Sequence, residues 1–353
     1  MFWLRIFLIL FLLWAVNCTK PTGPVSSVGP IVYAITDQYS DYNARVFYID
    51  TATDSVVDSL LIPYDCYGLG VSDNGSTLYI GIRGLPFNGM EIDTKTKAIK
   101  YFGPNTGVPI PKERLLVNPF SSDFFDAFTH ELVYKADSLT TPVFGFLNMG
   151  RRFDTKKKLL YGPLRNSQHK IGVFDYSRFR LVKVIDVEKL GARKLPTGNS
   201  VVTFEGDKYY YIVPLFPPYE YFVGIDLRTN QLVAEHIVIG GGLLGITSLN
   251  KNIYITDPGG YFIPPSPTGL VQIYSPVLER FLTPIDITKE SNPCDSIVQL
   301  VVTDMIAISP DGRKAYLSMW YQGSIMVIDI PTNTVKKVLC HFGVINSLAV
   351  QKN

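Results

Sequence analysis

Few residues of this chain are of types and spacings that commonly carry out catalysis. The four histidines stand at positions 130, 169, 236 and 341, and neither an HExxH nor a GxSxG sequence is present. His236 lies in the alternating segment LVAEHIVI, which favours packing or solvent exposure. His341 follows Cys340, but adjacent residues of a strand point to opposite faces, so no Cys–His dyad is expected. We predict no catalytic residue and no metal ligand.

Acidic side chains offer a second kind of chemistry. Six of them fall in segments rich in turn-forming residues: Asp37, Asp41, Asp65, Glu220, Asp257 and Asp295. Carboxylates that converge on one point could bind calcium, which prefers oxygen ligands. The alternative is that these side chains are simply solvated. No GxxxxGK[ST] sequence is present, and we predict no cofactor.

The N-terminal segment has the composition of a processing signal. Residues 1–17 are almost wholly apolar with one charge, Arg5, and are too short for a typical transmembrane span of about 20 residues. Cys18 resembles the lipidated cysteine of bacterial lipoproteins, although Ala15 and Asn17 depart from the usual pattern before it. Ordinary cleavage nearby and an uncleaved anchor are the alternatives. Residues 18–29 are predicted to be a flexible tether, and residues 30–353 a single domain.

Export would place the remaining cysteines in an oxidising compartment. Cys66, Cys294 and Cys340 match no metal-binding spacing. Three thiols allow at most one bridge within the chain. The sequence leaves open whether one forms or all three stay free and buried.

Composition indicates a strand-rich, nearly neutral protein. The chain has 353 residues, a formal net charge of +2, 21 Tyr, 21 Phe, 28 Gly and 24 Pro. Abundant aromatic residues together with turn formers are typical of many short strands. A charge so close to zero provides no electrostatic attraction to nucleic acid. We predict a monomer that does not bind nucleic acid.

One short phrase recurs along the chain. Alternating apolar residues lead into an Asp that is followed by Thr or Asn, and the clear copies centre on Asp50, Asp93, Asp175, Asp226 and Asp329. Degenerate copies surround Lys135 and Ser275. The Asp carboxylate can accept backbone N–H groups two residues on, so the phrase predicts a hairpin. A spacing of roughly 40 to 50 residues is typical of propeller blades.

A second phrase supplies another hairpin within each repeat. Asn74–Gly75 and Asp311–Gly312 are strong turn signals between apolar segments. An inner and an outer hairpin together make a four-stranded blade. Residues 308–339, ISPDGRKAYLSMWYQGSIMVIDIPTNTVKKVL, resemble the YVTN-type repeat of bacterial seven-bladed β-propellers. The resemblance implies an all-β propeller of seven four-stranded blades; a weak third repeat keeps six and eight as alternatives.

The two ends of the chain are predicted to meet in one blade. Residues 30–54 contain only three of a blade's strands, and residues 345–353 match an innermost strand with no blade after it. The C-terminal strand is therefore expected to complete the first blade beside residues 31–36. Closure of this kind removes free sheet edges.

The connections of variable length are predicted to lie together on one face of the ring, which we call the loop face. They comprise residues 37–43, 62–68, 102–113, 188–199, 216–221, 257–269 and 286–296. Loops on a rigid scaffold commonly carry function. Aromatic residues in or beside these loops are the candidate binding residues: Tyr39, Tyr42, Tyr64, Tyr67, Phe216, Tyr219, Tyr221, Tyr261, Phe262, Trp320 and Tyr321.

The predicted function is recognition. Tyr and Trp combine apolar area with a polar tip, as at protein interfaces and sugar-stacking sites. We predict an exported, lipid-anchored binding or scaffold module that recognises a protein or a glycan through the loop face. The alternatives are a lactonase-type hydrolase or quinone-dependent dehydrogenase with a site at the channel mouth, and a purely structural envelope role.

Overall fold

The computed structural model describes most of the predicted domain. The described residues are 29–36, 44–64, 66–82, 89–102, 108–110, 113–118, 121–137, 142, 153–164, 169–190, 200–203, 205–216, 219–239, 244–247, 249–256, 270–287, 294, 303–319 and 323–351. Residues 1–28, which include Cys18 and the predicted signal peptide, lie outside them. Within these ranges, no helix has the length and hydrophobicity needed to cross a bilayer.

The described strands form seven antiparallel sheets arranged as the blades of a β-propeller. We number the blades along the chain and name their strands from the innermost outward. Blade 1 contains Ile345–Val350, Ile31–Thr36, Ala44–Asp50 and Ser55–Ile62. Blade 2 contains Cys66–Val71, Thr77–Ile82, Gly89–Asp93 and Ile99–Phe102. Blade 3 contains Val108–Pro109, Leu115–Val117, Phe124–Asp126 and Leu132–Tyr134.

The other four blades repeat this plan. Blade 4 contains Phe153–Asp154, Leu159–Pro163, Lys170–Asp175 and Arg180–Asp186. Blade 5 contains Ser200–Val202, Lys208–Phe216, Tyr219–Asp226 and Gln231–Ile239. Blade 6 contains Leu244–Ile246, Ile253–Ile255, Leu270–Ser275 and Arg280–Phe281, with Ile285–Asp286 also paired to its third strand. Blade 7 contains Thr303–Ile308, Lys314–Met319, Ser324–Asp329 and Thr334–Leu339. The predicted count of seven blades is confirmed.

The C-terminal strand closes the ring as predicted. It pairs antiparallel with the strand Ile31–Thr36, in a register that places Val350 opposite Val32 and Ser347 opposite Ile35. The backbone of Ile31–Thr36 is thus paired on both sides, by the C-terminal strand and by the strand Ala44–Asp50. Blade 1 exists only when the two ends of the chain come together.

The third repeat is placed differently from the prediction. The outer hairpin of blade 3 turns at Asp126, not around Lys135, which follows the last strand of that blade. The Asp126 carboxylate accepts the backbone N–H groups of Phe128 and Thr129. Strands of only three residues flank this turn, so they show too little alternation to mark the hairpin in the sequence.

Apolar side chains from facing sheets fill the space between neighbouring blades. Between blades 5 and 6, the rings of Tyr210, Phe222 and Tyr274 pack together, with the Phe222 and Tyr274 ring centres 4.8 Å apart. Between blades 1 and 2, Tyr33 and Ile80 are buried in one cluster. Alternate side chains of each sheet point toward the blade on one side and toward the blade on the other side. Residues at both odd and even positions of a strand are therefore buried.

Candidate functional site

The two faces of the ring differ in how their turns are built. One face, which we call the turn face, carries the inner and outer hairpin turns of the blades. In the outer turns of blades 2 and 5, Asp93 and Asp226 accept backbone N–H groups two and three residues further on. These hydrogen bonds hold the pKa of both carboxyls below the ordinary value. The recurring Asp residues therefore serve the turns rather than a shared site.

The residue four positions after each turn Asp has a left-handed backbone conformation. Its φ is +51° at Asp54, +63° at Lys97 and +57° at Asn230. This conformation completes the hairpin and directs the side chain toward the neighbouring blade. In blade 7, Asn333 receives a 2.8 Å hydrogen bond from the Tyr254 hydroxyl of blade 6. The turn phrase thus also supplies contacts between blades.

Polar contacts at or near the turn face bridge all seven boundaries between blades. Going round the ring from blade 1, they are Lys97–Asp58 (3.1 Å), His130–Glu91 (2.9 Å), Lys158–Glu113, Lys157 to the Gly206 carbonyl (2.9 Å), Lys208–Glu279 (2.8 Å), the Thr247 hydroxyl to the Gly312 carbonyl (2.7 Å), and Lys314–Asp54 (2.7 Å). The charged groups in these contacts are engaged within the ring.

Several predicted site residues lie outside the described residues. These are Tyr39, Tyr42, Tyr261, Phe262, Trp320 and Tyr321. Of Tyr67 and Phe216 the structure describes the backbone, and of Tyr64, Tyr219 and Tyr221 also the side chains. The five described residues lie at the ends of strands opposite the hairpin turns, which is the position that the loop-face prediction requires.

Tyr64 belongs to the packing between blades 1 and 2. Its ring contacts Tyr101 edge-to-face at a centre distance of 5.5 Å, and the Cys66 thiol donates to its carbonyl at 3.2 Å. Burial raises the pKa of Tyr101, and the neighbouring Tyr64 and Cys66 raise it further. Tyr64 therefore stabilises the blade junction beneath the loops.

Among the described strands, those of blade 5 are the longest set. Its second, third and fourth strands contain nine, eight and nine residues, whereas the second strands of the other blades contain three to six. Three additional residues extend a strand by about 10 Å. Only residues 217–218 connect Lys208–Phe216 to Tyr219–Asp226, and Phe216 pairs with Tyr219 at the tip. The hairpin is therefore held by backbone pairing almost to its end.

One side of this hairpin presents an aromatic and aliphatic surface, which we call the blade-5 patch: Tyr219, Tyr221 and Ile237. Tyr221 pairs with Ile237 across the strands, and Tyr219 lies two residues away, so all three share a side of the sheet. Tyr219 is 39% exposed and Ile237 60% exposed. Tyr221 packs at its base against the core between blades 4 and 5. The described strands of blade 4 are shorter, with two to seven residues.

Ile237 is a residue that the sequence did not single out. In LVAEHIVI it reads as one more inward apolar residue of an alternating strand. Its exposure depends on which residues of other blades pack against it, and no local pattern encodes that. His236, on the other side of the strand, packs against Phe281 with ring centres 5.3 Å apart, as expected for a structural role.

The cysteines and acidic residues form no reactive cluster in the described part of the chain. Cys294 and Cys340 form a disulfide, and Cys66 is a buried thiol outside this bridge. His341 thus stands beside a bridged cysteine. No group of three or more His, Cys, Asp or Glu side chains is placed to hold a metal ion among the described residues. Of the six predicted acidic loop residues, only Glu220 is described, on the side of blade 5 opposite Tyr219 and Tyr221.

Residues 240–245, GGGLLG, have the letters of a dinucleotide-binding fingerprint. That fingerprint requires a strand followed by a helix, whose N-terminus holds the phosphates. Here the sequence runs from the outer strand of blade 5 into the innermost strand of blade 6, Leu244–Ile246. The segment is a blade-to-blade connection.

Comparison with known proteins shows the fold. No family model and no curated protein sequence matches the chain. It is similar to a functionally unknown protein from Desulfotomaculum acetoxidans (12% identity, 92% of this chain and 99% of that chain covered, TM-score 0.59). It is also similar to a candidate 6-phosphogluconolactonase from Bacteroides fragilis (12%, 93% and 99%, 0.57) and to dihydro-heme d1 dehydrogenase (13%, 95% and 78%, 0.57). At these identities the likeness defines the class of protein, a seven-bladed β-propeller.

Proposed function

We propose that this protein is an exported, lipid-anchored binding module that recognises a protein or glycan partner through the loop face. The observation that carries the proposal is the blade-5 patch. Tyr219 and Ile237 are exposed at the end of a hairpin that backbone pairing keeps rigid. A rigid aromatic anchor loses little conformational entropy on binding, and such residues dominate binding energies.

The opposite face supports this choice. Its turn carboxylates accept backbone N–H groups, and its lysines bridge neighbouring blades. Groups held in this way maintain the ring. The loop face is where the connections differ in length, and differences of this kind give propellers their individual specificity.

A hydrolase or dehydrogenase is the second candidate, because two structural neighbours carry the names of enzymes of these classes. Fold likeness alone is a weak argument for activity. The enzyme hypothesis requires several of Asp37, Asp41, Asp65, Asp257 and Asp295 to converge at the channel mouth. Their replacement by Asn would then abolish turnover of a lactone or a quinone-coupled alcohol while leaving partner binding unchanged.

The binding test uses substitutions in the blade-5 patch. We expect Tyr219→Ala combined with Ile237→Ser to weaken partner or glycan binding at least tenfold, since loss of an anchor costs about 1.4 kcal/mol or more. Binding is measured on glycan arrays and by quantitative capture from the native envelope with detergent-solubilised protein.

Phe128→Ala is the matched control, because Phe128 is 72% exposed but lies in a turn of the opposite face. It should leave binding unchanged. Equal losses in both variants, or no loss in the patch variant, would contradict the proposal.

The anchor is tested at Cys18. We expect mass spectrometry to find acyl chains on Cys18 as the first residue of the mature protein. Cys18→Ala should remove them and shift the protein into the soluble fraction. Cys66→Ala serves as the control, since this thiol is buried within the propeller. An unmodified Cys18, or unchanged membrane association of Cys18→Ala, would refute lipid anchoring.

A further inference from the structure

The chain enters the propeller on the turn face. Ile31, the first residue of its strand, pairs with Asp50, the first residue of the outer turn of blade 1. The Thr51 backbone N–H and hydroxyl both donate to the Pro30 carbonyl, at 3.0 and 2.8 Å. A Cβ on Gly29 would lie 2.8 Å from an Asp50 carboxylate oxygen, so glycine permits the chain to lie against the turn. The preceding residues therefore leave from this face.

Twelve residues separate the membrane from this point if Cys18 carries the lipid. A flexible segment of that length has an r.m.s. span of about 20 Å and a maximum of about 40 Å. A blade is six to nine residues tall in its long strands, or about 20–30 Å. Holding the loop face against the membrane would stretch the tether along the whole blade, whereas the turn face is reached without extension.

The turn face carries exposed apolar side chains that the fold does not require. Phe128 stands at the tip of the outer turn of blade 3 and is 72% exposed. Val277 and Leu278 occupy the outer turn of blade 6 and are 70% and 56% exposed. The corresponding turns of blades 2 and 5 carry Lys95–Thr96 and Arg228–Thr229. The outer turns of blades 3 and 6 thus carry exposed apolar side chains, whereas those of blades 2 and 5 carry polar ones. We call Phe128, Val277 and Leu278 the apolar tips.

These tips and the tether are spaced around the ring. Counting blades, the tether at blade 1 is two steps from Phe128 at blade 3 and two steps from Val277–Leu278 at blade 6. Along the rest of the ring, blade 3 and blade 6 are three blades apart. Three points distributed in this way define a plane that lies along the turn face.

An arginine accompanies each apolar tip. The Arg114 guanidinium lies 4.5 Å from the centre of the Phe128 ring, and the exposed Arg280 follows Leu278 by two residues, at the start of the strand Arg280–Phe281. Arginine beside an inserted apolar residue can remain at the level of the lipid headgroups.

From this geometry we infer that the turn face is the membrane-facing surface, on which Phe128, Val277 and Leu278 contact the bilayer beside the tether. This inference rests on the lipid anchor of the proposed function. The loop face and its blade-5 patch then point away from the membrane, toward the partner. The bilayer is the partner that covers the apolar tips.

The test places one reactive cysteine at a time in the full chain on vesicles of phosphatidylethanolamine and phosphatidylglycerol. Leu278→Cys and Phe128→Cys label the turn face, and Ile237→Cys labels the loop-face end of blade 5. Cys66 is buried, Cys294–Cys340 is bridged and the Cys18 thiol is blocked by the lipid in the proposed anchor, so a maleimide dye reports the introduced position. Dyes at 278 and 128 should be quenched by nitroxide lipid and be protected at least threefold from iodide. A dye at 237 should show the reverse.

A second variant separates docking by the tips from tethering alone. With the dye at Lys95→Cys, an exposed turn-face position, Phe128→Ser with Leu278→Ser should remove the protection from iodide. Val182→Ser with Val184→Ser is the control, since both valines are 44% exposed on the outer strand of blade 4. Protection should persist in that control.

The outcomes distinguish the two proposals. An acylated, vesicle-bound chain whose turn-face dyes remain open to iodide overturns the orientation alone, as does protection of position 237. A chain without acyl groups on Cys18 overturns the anchor and the orientation with it. Loss of partner binding in the Tyr219 variant is independent of both measurements.

Discussion

Deletion of residues 345–353 is expected to abolish cooperative folding. The deletion removes the innermost strand of blade 1 and leaves one backbone edge of Ile31–Thr36 without a partner. It also removes Ile345, which is fully buried, and uncovers the core around Val32 and Ala34. Native domains are stable by only about 5–15 kcal/mol, so loss of a core strand and of ring closure exceeds what the fold can tolerate.

The measurement is thermal and denaturant unfolding followed by far-UV and near-UV circular dichroism. A chain lacking only residues 352–353 is the matched control, because these residues follow the closing strand. It should unfold like the intact protein. A cooperative transition at the normal midpoint in the longer deletion would show that the ring is not closed by its C-terminal strand.

Asp54→Asn is expected to destabilise the protein by about 3–5 kcal/mol, the usual cost of breaking a buried ion pair by removing one partner. Asp54 is 2% exposed, and its carboxylate lies 2.7 Å from the Lys314 ammonium, 2.7 Å from the Tyr316 hydroxyl and 3.0 Å from Lys336. These partners belong to blade 7. The substitution would leave lysines unpaired at the boundary where the ring closes.

Glu279→Gln is the matched control for Asp54→Asn. Glu279 occupies the same position of the outer turn in blade 6, and Lys208 of blade 5 approaches it as Lys314 of blade 7 approaches Asp54. The Glu279 side chain is 52% exposed, so its loss should cost less than about 1 kcal/mol. Similar losses in the two variants would mean that burial does not govern the strength of this contact.

The same carboxylate predicts an acid dependence. Burial by itself raises the pKa of Asp54, but hydrogen bonds from Lys314, Tyr316 and Lys336 outweigh burial and hold this pKa below its ordinary value of 3.8. Because the folded pKa is below the unfolded pKa, the stabilisation is complete above the unfolded value and disappears as pH falls through the folded value. The stability difference between wild type and Asp54→Asn should therefore narrow below about pH 4.

The outer hairpins could be predicted because their signals are local. An Asp accepts N–H groups two and three residues on, and this geometry holds at Asp93 and Asp226 as the repeated phrase required. Strand alternation and Asp–Gly turns are equally local. They suffice to give four-stranded blades and to identify the C-terminal segment as a lone innermost strand.

Contacts between blades could not be predicted from the sequence. Cys294 pairs with Cys340 rather than Cys66 because the ring brings these two segments together, although 46 positions separate them. Asp54 is buried because blade 7 packs against blade 1. From the repeated turn sequence alone, Asp54 would be predicted to be exposed like any other turn residue. The third repeat was misplaced because its strands are too short to show a period.

By itself, the sequence determined the class of the fold, the unit of repetition and the way the ring closes, since hairpin chemistry depends on residues a few positions apart. The tertiary structure alone decided which side chains are exposed. Tyr64 became part of a blade junction, while Tyr219 and Ile237 became exposed, because exposure at these sites depends on which residues of other strands pack against them. Those residues are encoded elsewhere in the chain.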